Sequence, residues 1–118
     1  MAQLNSVQLV GRAGRDPQMR TLESGTALCT LTLAVNRIRR RGEETPPDWF
    51  DLELRGRTAE IAGEYVRKGA LIGVSGALVY SRWLDRTSRE PRERPLIRVD
   101  RLELLGRAAA GDAAVDPD

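Results

Sequence analysis

Apolar residues fall at every second position over most of this chain, which is the period of strands with one buried face. In "NSVQLVGR" (5–12), Val7 and Leu9 alternate with polar neighbours. "GRAGRDP" (11–17) is rich in turn formers, and "QMRTLES" (18–24) is read as continuing the first strand until Gly25 breaks it. The alternation is clearest in "TALCTLTLAVN" (26–36). Ala27, Cys29, Leu31, Leu33 and Val35 form one face there, and Leu28, Thr30, Thr32, Ala34 and Asn36 form a more polar one. After a polar connection, "RIRRRGEETPPD" (37–48), the pattern resumes in "PPDWFDLELRG" (46–56). Phe50, Leu52 and Leu54 point one way, and Trp49, Asp51, Glu53 and Arg55 point the other. The two strands are expected to pair as a hairpin with a long tip. The largest apolar side chain of the second one shares its face with three charges.

The period changes once. In "RTAEIAGEYVRKG" (57–69), Ile61, Ala62, Tyr65 and Val66 recur at helical spacing. Thr58 is placed to cap this helix, Glu60 lies in its first turn, Arg67 and Lys68 lie in its last, and Gly69 ends it. Tyr65 is read as a core contact and Cys29 as a small buried hydrophobe. Strand alternation returns in "ALIGVSGALVYSRW" (70–83) through Ile72, Val74, Leu78 and Tyr80, where Gly73 and Gly76 suggest bends or close backbone approach. "LDRTSREPRERP" (84–95) reads as a second long polar loop. In the last strand, "LIRVDRLELLG" (96–106), the apolar parity shifts between Val99 and Leu102, which predicts a bulge near Asp100 or burial on both sides.

The order is therefore three strands, one helix, two strands. That order predicts an all-β OB-fold, a five-stranded Greek-key barrel with its helix between the third and fourth strands. A length of 118 residues fits one domain, expected over residues 1–107, with residues 108–118 as a short, acidic, disordered tail.

Charge sharpens this division. Three of the 17 carboxylates lie in the last eleven residues, so residues 1–107 hold 14 against 19 bases, a net +5 behind an overall +2. The chain has one cysteine and no stretch near the ~20 apolar residues of a membrane span. Its first residues show no secretory pattern, and a cytoplasmic, nucleoid-associated location is expected.

Catalysis finds little support. There is no histidine, so the commonest general base and metal ligand is missing, and one cysteine excludes zinc-cluster spacing. "GRAGRD" is not a phosphate-binding loop of the Walker type. Asp48 and Asp51, three apart on a strand, face opposite ways. The expectation is no enzyme, no metal and no cofactor.

Binding is better supported, because both long connections are arginine-rich. The first opens with Arg37, Arg39, Arg40 and Arg41; the second carries Arg82, Arg86, Arg89, Arg92 and Arg94, partly offset by Asp85, Glu90 and Glu93. Trp49 begins a strand on the face of Arg55, and Trp83 ends one beside Arg82. Aromatic platforms combined with positive charge hold single-stranded nucleic acid without sequence preference. A tryptophan at an oligomer interface is the rival reading of each ring.

"NSVQLVGRAGRDPQMR", "LTLAVNR", "DWFDLELRGRTAEIAGEYVRKGALIGVSG" and "RWLD" together resemble the bacterial single-stranded DNA-binding protein family, from about Asn5 to Gly106. The resemblance implies an OB-fold, usually a homotetramer, that wraps single-stranded DNA in replication, recombination and repair. Trp49 and Trp83 match two positions where members stack bases. Arg39 and Arg55 stand where relatives usually have aromatics, and an arginine can stack through cation–π contact. With them, Arg37, Arg40, Arg41, Arg82 and Arg86 complete the expected DNA-binding set. Relatives often end in an acidic, partner-recruiting tip; here "DAAVDPD" is acidic but short, and the recruiting tip is not recognisable. An accessory, primosomal-type OB protein acting through protein contacts, an RNA-binding OB module and, least of all, a small nuclease are the alternatives.

Overall fold

The structure, a computed structural model, describes residues 4–37, 42 and 45–107. Its elements are β1 (Val7–Ala13), β2 (Gln18–Thr21), β3 (Ala27–Val35), β4 (Asp48–Arg55), α1 (Gly56–Tyr65), β5 (Leu71–Leu84) and β6 (Pro91–Gly106). Neighbouring strands follow the order β1-β5-β6-β4-β3-β2, and a further pairing of β1 with β3 closes the sheet. β1 and β2 both lie antiparallel along β3, with Ala13 opposite Leu33 and Gln18 opposite Thr30. β2 thus continues β1 after an outward excursion of residues 14–17, and the closed barrel counts five strands. With α1 leading from the third of these to the fourth, this is the OB-fold that the order of elements predicts.

The core follows from the alternation. Cys29, Leu31 and Leu33 of β3 meet Leu52 and Leu54 of β4, Ile72 and Val74 of β5, and Ile97 and Val99 of β6. Burial pushes the Cys29 thiol up to about 11, so it stays neutral and behaves as a small hydrophobe.

Two glycines let the barrel close. A Cβ on Gly11 would lie 2.2 Å from the Ala34 carbonyl oxygen, and one on Gly76 would lie 2.1 Å from that of Arg98. Gly76 pairs with Val99 while Ser75 pairs with Arg101, so Asp100 is left over as a bulge. The shift in apolar parity along residues 99–102 has this cause.

Three expectations are corrected. The helix stops at Tyr65 rather than 69, its N-cap is Arg55 rather than Thr58, and no side chain caps it. The chain turns from β4 into the helix at Gly56, at a φ of +60° that suits glycine. Gly69 donates its N–H to the Ala13 carbonyl, and Ala70 donates to Arg67, so the residues after the helix form a turn against β1. Tyr65 is 58 % exposed, whereas Ala59, Ala62 and Val66 are buried. The barrel is capped by the small residues, which let the helix sit close. Finally, residues 84–95 are not one long loop. Cross-strand pairing runs unbroken from Gly76–Val99 to Leu84–Pro91, so β5 and β6 project as a two-stranded ribbon with a short tip at 85–90.

Candidate nucleic-acid interface

Leu52 and Leu54 are buried, so the alternation of β4 forces Trp49, Asp51, Glu53 and Arg55 outward. Trp49 is 61 % exposed. Its β3 neighbour is Ala34, and Asp51 and Glu53 lie opposite Thr32 and Thr30, so the strand beside the ring carries only small side chains. The ring is seated on Gly14. A Cβ there would come 2.4 Å from Trp49 Cζ3 and 2.6 Å from Thr32 Oγ1. Gly14 is fixed in turn by donating its N–H to the Thr32 carbonyl at 2.9 Å. Gly14→Ala is therefore expected to displace the indole without touching the core. In a Trp83→Phe background, where Trp49 is the sole tryptophan reporter, its emission should shift to the red and broaden. An unchanged spectrum would mean that Gly14 does not set the ring's position.

The face continues onto β6, which runs parallel to β4 with Arg98 level with Glu53. Glu53 Oε1 accepts from Arg98 Nε at 3.1 Å and from Arg55 Nε at 3.2 Å. One step along, Arg94 Nε lies 3.8 Å from Asp51 Oδ2. Arg92 has the same parity, and its cross-strand partner on β5 is Trp83, which is 47 % exposed. Arg92, Arg94 and Arg98 thus line β6, the strand between those that carry the two exposed tryptophans, and Arg55 lies on β4 beyond Trp49, all on one continuous face. The sequence reading assigned Arg92 and Arg94 to a loop and did not single out Arg98. The two-residue spacing of arginines from 92 to 98, broken only at Leu96, was the available signal.

The other expected residues are placed differently. Arg37 grips Asp48 across the base of the β3–β4 connection, with Nε 3.0 Å from both carboxylate oxygens. This hydrogen bonding holds the Asp48 carboxyl below its usual range. Arg39, Arg40 and Arg41 lie outside the described residues. Arg82 pairs with Glu93 at 3.0 Å on the ribbon face opposite Trp83, so its neighbour in sequence is not its neighbour in space. Arg86 lies in the tip, where the Asp85 carboxylate accepts backbone N–H bonds from Ser88 and Thr87 and is held below its usual range. Asp48 and Asp51 do not converge: one pairs with Arg37 and the other with Arg94. Among the described residues no group of three or more His, Cys, Asp or Glu could hold a metal ion, and no helix is long and apolar enough to cross a membrane.

Comparison with known proteins places the chain among relatives. The sequence model of the Single-strand binding protein family matches residues 4–105. The chain is 58 % identical over 103 residues to single-stranded DNA-binding protein 1 of Synechocystis sp., covering 87 % of this chain and 84 % of that one. It is 50 % identical over 102 residues to the single-stranded DNA-binding protein of Thermosynechococcus vestitus, covering 86 % and 82 %. With the single-stranded DNA-binding protein of Treponema pallidum it shares 35 % identity over 118 residues, covering 98 % of this chain and 66 % of that one.

Proposed function

The chain belongs to the single-strand binding protein family, and from that premise we propose that it binds and protects single-stranded DNA without regard to sequence. Bases stack on Trp49 and Trp83, and phosphates are drawn to the arginines that share their face. The observation that carries this reading is that both tryptophans are exposed on a face that also carries Arg55 and, on the strand between theirs, Arg92, Arg94 and Arg98. A folded chain has no stability reason to leave two indoles half exposed among charges, whereas unpaired bases offer a π-face to each. Arg39, Arg40 and Arg41, between β3 and β4 in sequence, add positive charge. The roles in replication, recombination and repair follow from the same activity and need no catalytic group.

A homotetramer is part of the proposal. Away from the tryptophan face, Val10, Tyr65, Leu104 and Leu105 are all exposed, and Tyr65, Leu104 and Leu105 line one shallow cavity. A second copy of the chain is the natural cover for such a surface. The acidic residues 108–118 are proposed as a tail that competes weakly with DNA for the basic face.

The test is titration with an oligothymidylate, followed by tryptophan fluorescence at several salt concentrations. Quenching is expected, with a log–log salt slope of roughly −0.7 for each phosphate neutralised. Preference for an oligouridylate would favour the RNA-binding alternative. Absence of binding to either would leave a protein that acts through protein contacts.

A further inference from the structure

Arg55, Arg92, Arg94 and Arg98 of the tryptophan face are each held by a carboxylate of this same chain. Arg94 has Asp51, Arg92 has Asp85 at 3.6 Å, and Arg55 and Arg98 share one oxygen of Glu53. The carboxylates differ in freedom. The side chain of Glu53 is only 16 % exposed, against 38 % for Asp51 and 42 % for Asp48. Asp48 and Asp51 can swing into water when an anion arrives. Glu53 lies between two guanidinium groups within the strand ladder and has little room to leave.

Resting on the reading that this face takes DNA, we propose that Glu53 is a built-in competitor of the DNA phosphate, a fixed negative charge that holds back Arg55 and Arg98 and sets the affinity of the face. A phosphate approaching either arginine finds part of its charge already satisfied, and it meets a like charge that cannot retreat. Such a charge weakens attraction to every nucleotide equally. It therefore tunes affinity and leaves the protein indifferent to sequence.

The size and order of the effects follow. A unit charge about 5 Å from a phosphate in water-like surroundings changes affinity by about fourfold, and low salt preserves that difference. Glu53→Gln keeps the shape and an acceptor oxygen while removing the charge. It should bind an oligothymidylate about fourfold more tightly near 0.1 M salt, with a steeper salt slope. Asp51→Asn should gain less, in keeping with its greater exposure. Glu60→Gln, on the exposed side of α1, should leave binding as in the wild type.

Fluorescence anisotropy of a labelled oligothymidylate, with circular dichroism and solution mass as checks on each variant, measures all three. Equal or weaker binding by a folded, assembled Glu53→Gln variant overturns the inference. Should that variant fail to fold, Glu53→Thr, which removes the charge with a side chain suited to a strand, is measured in its place, and equal or weaker binding by it is equally fatal. Failure of the wild-type protein to bind the oligomer removes the functional reading itself. Wild-type binding with no response in the variants removes only the role of Glu53.

Discussion

Replacing Trp49 and Trp83 together by alanine is expected to weaken oligothymidylate binding by about 2–6 kcal/mol, from about 1–3 kcal/mol for each ring that holds one base. The two rings are exposed and stand two strands apart in the sheet, so their effects should add. Neither belongs to the core, and the double variant should keep its fold. The arginine row is untouched, so the slope of affinity against salt should remain near that of the wild type. That combination, affinity lost with slope kept, separates stacking from phosphate attraction. Anisotropy of a labelled oligomer measures it, since the intrinsic reporters are gone. If affinity survives in a folded double variant, the rings are not base platforms, and an interface role between subunits becomes the better account of their exposure.

Gly76→Ala is expected to be the more damaging to the fold. The added Cβ would meet the Arg98 carbonyl oxygen at 2.1 Å and the Val99 Cα at 3.0 Å. Both are backbone atoms of the paired strand and cannot rotate away. Relief requires parting β5 from β6 where the Asp100 bulge already interrupts their register. A cost of about 3 kcal/mol, the upper end for overpacking, is expected, which lowers the melting temperature by roughly 10 °C in a domain of this size. Gly73 provides the comparison. Its nearest contact is the Leu105 side chain at 3.4 Å, and Gly73→Ala should stay within about 1 kcal/mol of wild type. Thermal unfolding at matched protein concentration reads both. Similar melting temperatures would show that the barrel does not depend on close approach at Gly76. Because Arg98 lies on the partner strand, the same substitution should also disturb the arginine row, so its DNA affinity is informative only after the melting curve is known.

Much of this molecule was legible without coordinates, for a reason visible in β3 and β4. Both are half-buried antiparallel strands, and each side chain's face is dictated by its parity once one neighbour is known to be inside. Leu52 and Leu54 had to point inward, so Trp49 and Arg55 had to point out. The bulge at Asp100 was legible in the same way, as a slip in parity between Val99 and Leu102. The helix was less so. Its apolar residues suggested a face of Ile61, Ala62, Tyr65 and Val66; Ala62 and Val66 are buried, but Tyr65 is exposed and closeness to the barrel end selected Ala59 in its place. Small side chains carry little hydrophobic signal, yet they decide how near a helix can come.

The alternation of apolar residues, the single change of period and the basic body determined an OB-fold with exposed tryptophans before any contact was known. Each of those depends on residues near one another in sequence. Tertiary structure alone decided which charges share the tryptophan face. Arg92 and Arg94 look like loop residues because prolines at 91 and 95 flank them, and only pairing with β5 makes them strand. Glu53 and Arg98 are 45 positions apart and meet because β4 and β6 run parallel in register. Arg82 and Trp83 are adjacent in sequence and separate in space, because a strand sends consecutive side chains to opposite faces and the ribbon has both faces open.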